Sequence, residues 1–381
     1  MRLPVFFYLA LFFIFQGSLW AHVPNRQEAA RQEAAAIAAS VTASMDNSAL
    51  AAQVLMTGID GRGALTPAMR ALLTRIPAGG VMLFGFNLNT PKDDVIRLLA
   101  ETSALITSGA GVPPFMAVDH EGGAVHRFGQ GVQRLPSAYS FWELRQTEGR
   151  DAALARAETL YSRSAAEIRE LGITMVLAPV VEPLNSENRA FLGTRSYGYD
   201  PEFVEAAASI FIRSMRDSGI SSVVKHFPGN TGADPHFYDS ILYADRAALD
   251  EMVLPFAGII RSLSPSSVML SHVVVPAVDN RNASLSRIVI EDWLRGELGF
   301  EGIAMADDFT MAAVANSGIS PANAAVLALN AGIDMIMVWP RDLSATHAAI
   351  LNALNTGSLS RERLQEAVKR IITEKSLYGK F

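Results

Sequence analysis

The chain has 381 residues, half of them apolar and 18% charged, with no cysteine and a formal charge of −6 at neutral pH. Without cysteine it has no disulfide, thiolate zinc site, thiol nucleophile or cysteine-borne lipid. The acidic balance and the lack of any long basic run argue against a nucleic-acid partner, because such binders neutralise phosphates.

Met1 and Arg2 precede an apolar run from Leu3 to Phe15, followed by Gln16-Gly17-Ser18 and Leu19-Trp20-Ala21. A cationic start, an apolar stretch and a small residue at Ala21 describe an export signal over residues 1–21. Leu19 stands where the cleavage pattern wants a small residue, so an uncleaved membrane anchor is the alternative. Either way the expected location is periplasmic, extracellular or membrane-tethered. Residues 22–48 interleave Arg26, Glu28, Arg31 and Glu33 with alanines. They read as a solvated helical extension on the flank of one domain spanning 49–381.

From residue 50 onward, short apolar runs alternate with longer amphipathic ones. The expected strands are Val54–Gly58, Gly80–Gly85, Phe115–Asp119, Thr174–Ala178, Ser221–His226, Val268–Val273, Gly302–Ala306 and Asp334–Val338. Helical patterns between them include Asp93–Thr107, Asp151–Glu170, Pro201–Asp217, Asp245–Leu263, Ile288–Leu298 and Pro321–Ala331. A last helix runs from Ser360 to near Ser376. Strands apolar on both faces, alternating with helices, predict a covered parallel sheet. Eight such units predict an α/β fold of the (β/α)8 TIM-barrel type. A dinucleotide-binding sheet would need a different glycine spacing from Gly58-Ile-Asp-Gly-Arg-Gly63.

In such a barrel, chemistry gathers where the strands end. The third strand ends in Asp119-His120-Glu121, the fourth runs into Glu182, and the fifth ends in Lys225-His226. The sixth ends in Ser271-His272, the seventh in Asp307-Asp308 and the eighth in Trp339. These groups converge on one polar mouth. Adjacent strand residues face opposite sides, so each acidic pair offers one inward ligand, and no H-E-x-x-H occurs. No metal and no cofactor are therefore expected. The other chemistry that carboxylates at a barrel mouth suggest is cleavage of a glycosidic bond. Asp307 or Asp308 suits a nucleophile, and a carboxylate-oriented histidine suits a proton donor. Asp234-x-His236, in the loop after the fifth strand, has the spacing for that pair.

Five segments together resemble glycoside hydrolase family 3, in its β-N-acetylglucosaminidase branch. They are Ala117–Phe128 (AVDHEGGAVHRF), Leu192–Pro201 (LGTRSYGYDP), Lys225–His236 (KHFPGNTGADPH), Ser271–Pro276 (SHVVVP) and Met305–Met311 (MADDFTM). The resemblance implies a retaining exo-β-N-acetylhexosaminidase that passes through a covalent glycosyl-aspartate. It makes Asp307 the nucleophile and His236, assisted by Asp234, the acid/base. Asp119, Arg127, Arg195, Lys225 and His226 would hold the sugar, and Asp308 would support. The implied partner is a carbohydrate ending in GlcNAc, from peptidoglycan fragments, chitooligosaccharides or other glycans.

The chain also departs from the family pattern. Asn230-Thr231 replaces a usual His-Gly, Pro235 replaces a usual Ser, and Glu182 replaces a usual Asp. The loop from Gly229 to Asp234 is two positions shorter than usual. A family 3 β-glucosidase, a β-glycoside phosphorylase and a non-catalytic glycan-binding barrel stay open as alternatives. The oligomeric state is not legible.

Overall fold

The computed structural model describes residues 26–129 and 131–378. The segment read as an export signal lies outside them. Eight parallel strands close into a barrel: β1 (Leu55–Gly58), β2 (Gly80–Leu83), β3 (Phe115–Val118), β4 (Met175–Val176), β5 (Ser221–Phe227), β6 (Ser267–Leu270), β7 (Ile303–Ala306) and β8 (Met335–Val338). Each strand pairs with its sequence neighbours, and β8 closes on β1 through Leu55 opposite Ile336. Residues of β2, β3 and β7 are buried throughout, because helices cover the outside while side chains fill the interior.

The expected strands are all present, with different ends. β4 is short because Pro179 has no N–H to donate to a ladder. Beyond it the chain stays beside β5 through an isolated bridge, Val180 to Lys225, and the bonds Lys225 N–H to the Pro179 carbonyl and Val181 N–H to the Lys225 carbonyl. The helices follow their caps. In Pro201–Asp217, Asp200 accepts a hydrogen bond from the Glu202 amide, Pro201 fills the first turn, and Phe203, Ala207, Phe211 and Met215 face inward. The single helix expected over Asp245–Leu263 is two, Arg246–Met252 and Leu254–Leu263. Pro255 cannot donate to the preceding turn, so the chain breaks at Val253. Ile288–Glu297, expected as an ordinary helix, is wound as a π-helix. Its buried residues, Val289, Ile290, Trp293 and Leu294, would fit either winding.

Helix Arg26–Ser44 packs along the carboxyl-terminal helix Arg361–Tyr378. Ala34 and Ala38 are buried, and Arg31 reaches Glu374 at 2.5 Å. At the amino-terminal end of the barrel, the fully buried Asp334 draws three arginines together. Arg295 lies 2.6 Å from it, Arg363 3.0 Å and Arg370 3.1 Å, and the Ala304 amide adds a 3.0 Å bond. One carboxylate thus joins β7, the Ile288–Glu297 helix and the last helix to the start of β8.

Candidate active site

Just past β3, Asp119 is followed by a hairpin, His120–Gly122 with Val125–His126. Gly122 has φ +94, and a Cβ there would lie 2.2 Å from the Pro136 carbonyl, so the turn needs glycine. Asp119 and Glu121 sit two residues apart and both reach Lys225. His120 between them does not join the mouth. Its Nε2 is 2.8 Å from Ser164 Oγ in the outer helix Arg150–Glu170, and burial, with His126 adding, pushes its pKa down to about 3. The expectation that every strand-end polar group enters the pocket fails here because side chains alternate.

Lys225 Nζ lies 2.9 Å from Asp119 Oδ1 and 2.7 Å from Glu121 Oε1. Arg195 grips Glu121 with both arms, Nε to Oε2 at 2.8 Å and an Nη to Oε1 at 2.9 Å. Arg127 approaches Asp119 at 3.7 Å. Burial alone would raise the Glu121 carboxyl, but Lys225 and Arg195 outweigh it and hold the group well below its usual range. Burial would likewise lower Lys225, yet Asp119 and Glu121 keep its pKa above the ordinary value. Lys225 is therefore a fixed cation rather than a proton shuttle.

His226 reaches the same mouth as Lys225 because the β5–β6 register shifts between Lys225 and Phe227. Its Nδ1 donates to Glu182 Oε1 at 2.7 Å and its backbone N–H donates to the same atom at 3.1 Å. Asn230 adds a third bond there at 2.9 Å. With Nδ1 committed, Nε2 is the nitrogen left for a ligand.

β7 delivers Asp307, whose Oδ1 accepts the Asp308 amide at 2.9 Å. Burial would raise its pKa, but the imidazoles of His272 and His226, the Asp308 N–H and Lys225 hold it below the ordinary carboxylate value. Asp308 turns away from this role. Its carboxylate accepts from the Thr310 amide and hydroxyl, each at 2.8 Å, and from Trp339 Nε1 at 2.6 Å. His272 Nε2 donates to the Asp308 carbonyl at 3.1 Å, and its Nδ1 lies 2.7 Å from Ser284 Oγ. Trp339 stacks on Phe84 at 5.1 Å, which walls the mouth near β2 and β8.

The loop after β5 is anchored at its base. Gly229 has φ +145, a Cβ there would meet Met252 at 2.8 Å, and its carbonyl accepts from Ser271 Oγ at 2.9 Å. Asn230 and Thr231 are buried structural residues, one holding Glu182 and the other bonding Ser240 Oγ at 2.9 Å. Further out, His236 Nδ1 lies 2.7 Å from Asp234 Oδ1, and both side chains are exposed. Two backbone bonds tie this tip to the segment after β7: Ala313 N–H to the Pro235 carbonyl at 3.1 Å and Ala312 N–H to the His236 carbonyl at 3.4 Å. Phe237 and Tyr238 are exposed beside the dyad, whereas Phe227 is core, packed edge-on against Phe256 and Trp293.

The structure thus gathers Asp119, Arg127, Arg195 and Lys225 in one network, sets His226 beside Lys225 in sequence and in space, and keeps Asp307 within electrostatic reach of both. Asp234 and His236 form a separate pair on the adjoining loop. Sequence reasoning left Glu121, Glu182, Asn230, His272 and Trp339 without roles in the site. The strand-end positions of Glu121, Glu182, His272 and Trp339 were the available signal, but what each one holds, and the part of Asn230, is visible only through tertiary contacts. An anionic carboxylate, an oriented imidazole and fixed cations suit nucleophilic attack coupled to proton transfer on a hydroxyl-rich substrate.

The sequence matches the Glycosyl hydrolase family 3 N terminal domain over residues 49–374. It is 36% identical over 297 residues to a beta-hexosaminidase of Methylococcus capsulatus, covering 76% of this chain and 84% of that protein. A beta-hexosaminidase of Stenotrophomonas maltophilia is also 36% identical, over 315 residues, covering 80% and 90%. Among solved structures, a glycoside hydrolase family 3 beta-N-acetylglucosaminidase from Paenibacillus sp. superposes with a TM-score of 0.80 at 32% identity. That match covers 88% of this chain and 63% of the Paenibacillus chain. A beta-N-acetylhexosaminidase from Beutenbergia cavernae gives 0.78 at 28% identity, covering 88% and 99%.

Proposed function

The chain belongs to glycosyl hydrolase family 3 and is a glycosidase; from that premise we propose that it is a retaining exo-β-N-acetylhexosaminidase releasing terminal β-linked GlcNAc. The observation that carries this reading is the Asp307 carboxylate, just past β7 and held below its ordinary pKa, together with an Asp234–His236 pair on a loop hydrogen-bonded to the segment that follows β7. Names of the relatives supply the sugar.

In the first step the Asp307 carboxylate attacks the anomeric carbon while His236 gives its proton to the departing glycosidic oxygen. In the second, His236 takes a proton from water, and the hydroxide displaces Asp307 from the sugar. Asp119, Arg127, Arg195, Lys225 and His226 hold the hydroxyls, with Glu121 and Glu182 keeping the cations and the imidazole in place. An imidazole acid/base also tolerates a phosphate acceptor, since no carboxylate repels it there. The export reading of residues 1–21 supports substrates outside the cytoplasm, such as peptidoglycan fragments or chitooligosaccharides.

The test is to assay aryl β-GlcNAc against aryl β-glucoside, with and without phosphate, and to trap the enzyme with a 5-fluoro glycosyl donor. Faster turnover of the GlcNAc substrate, independent of phosphate, with the label on Asp307 is expected. A label outside Met305–Met311 would sink the mechanism. A glucoside preference or a phosphate requirement would replace the substrate or the acceptor.

A further inference from the structure

The amino-terminal end of the barrel, opposite the active-site mouth, contains a cavity of about 430 Å³ with an electrostatic imbalance. Its walls include Leu99, Phe115, Met116 and Leu171, and two cations, Lys375 and Arg169, line it as well. Lys375 is 3% exposed. Its ammonium has three donors, and the partners it meets are Gln53 Oε1 at 2.9 Å and the Phe115 ring at 5.4 Å. No carboxylate among the described residues pairs with it. Glu374, its neighbour in sequence, turns to Arg31, and Glu170 at the cavity pairs with Lys92 at 2.6 Å. Arg169 likewise has no side-chain partner among the described residues.

A buried ammonium with uncommitted donors is costly, and burial alone drives the Lys375 pKa down to about 7. An anion entering the cavity would supply the missing acceptor and neutralise the charge. Apolar walls disfavour a fully hydrated dianion and favour a single charge carried on an apolar body. We infer that this cavity is a second binding site, for a small organic carboxylate with an aliphatic or aromatic tail, held through Lys375 and Arg169. The inference stands on the cavity and its unpaired cations and is independent of the hydrolase reading.

Calorimetric titration of the full chain with 4-phenylbutanoate tests it, with 4-phenylbutanamide and inorganic phosphate as controls. Saturable binding is expected, weakened about tenfold or more by Lys375→Met and by Arg169→Gln, with the amide weakened to a similar degree. Arg169→Gln alters a partly exposed side chain with no partner, so it remains informative if the Lys375 variant misfolds. Absence of saturable heat, undiminished affinity in the variants, or equal binding of amide or phosphate would each overturn the inference. Glycosidase activity in Arg169→Gln is expected to be unchanged.

Discussion

Asp307 is held ionised by its surroundings rather than by one partner: burial pushes its pKa up, and the imidazoles, the Asp308 amide and Lys225 more than reverse that. In the proposed mechanism Asp307 is the nucleophile and must be deprotonated, so a depressed pKa would keep it competent through neutral pH and cost activity only when pH falls below the usual carboxylate range. Lys225→Gln removes one of the opposing cations, and the acid limb of kcat/KM is expected to move to higher pH than in the wild type. A limb that stays in place while KM alone rises would restrict Lys225 to sugar binding. Asp307 was readable because it ends a strand and stands in a specific motif. Its environment was legible only in part: His272 and Trp339 end the strands on either side of β7, but the groups each one bonds were not readable. Asn230 and Thr231 looked like defects in a pattern; in the fold they are buried anchors that the family pattern could not foretell.

Among the elements, the hairpin after β3 does most to shape the site. It sends Asp119 and Glu121 inward, places His120 against an outer helix and presents Arg127, all through a turn that depends on Gly122. Gly122→Ala would force a side chain into the Pro136 carbonyl at an unfavourable φ, a strain of about 1–3 kcal/mol. The expected result is a lower melting temperature together with a weaker kcat/KM. If stability falls with kinetics intact, the hairpin does not position the ligands of the sugar. Element existence was legible from alternating apolar runs, since strands buried on both faces differ from amphipathic helices. Element ends were not: Pro179 acts through a missing hydrogen bond to a neighbouring strand, Pro255 splits one apolar helical pattern in two without interrupting its periodicity, and the winding of Ile288–Glu297 leaves no distinct periodicity.

For the molecule as a whole, stability and chemistry sit at opposite ends of the barrel. Asp334 gathers Arg295, Arg363 and Arg370 far from the mouth. Asp334→Asn leaves three guanidinium groups around a neutral amide, and breaking a buried network of this kind costs about 3–5 kcal/mol. Chemical denaturation is expected to show that loss while KM in the folded variant stays at the wild-type value. A changed KM would mean that the two ends are coupled. The fold class was legible because eight repeated units and strand-end polar residues point to one architecture. The Asp334 network was hidden because its arginines follow helical positions that read as solvated surface.

The two amides that fasten the dyad loop, on Ala312 and Ala313, form a built-in clock. Each donates to the carbonyl of a loop residue, so neither can exchange its hydrogen for deuterium until the loop lifts. Their exchange rate counts how often the loop that carries His236, the proposed acid/base, parts from the segment after β7. Mass spectrometry of the peptide spanning Ala312–Ala315 should record slower exchange with a bound GlcNAc-type inhibitor than without it. Equal rates in the two states would mean that substrate enters without any lifting of the loop. The same two hydrogen bonds would then serve as a fixed strut, and the enzyme would turn over without a moving part at that edge.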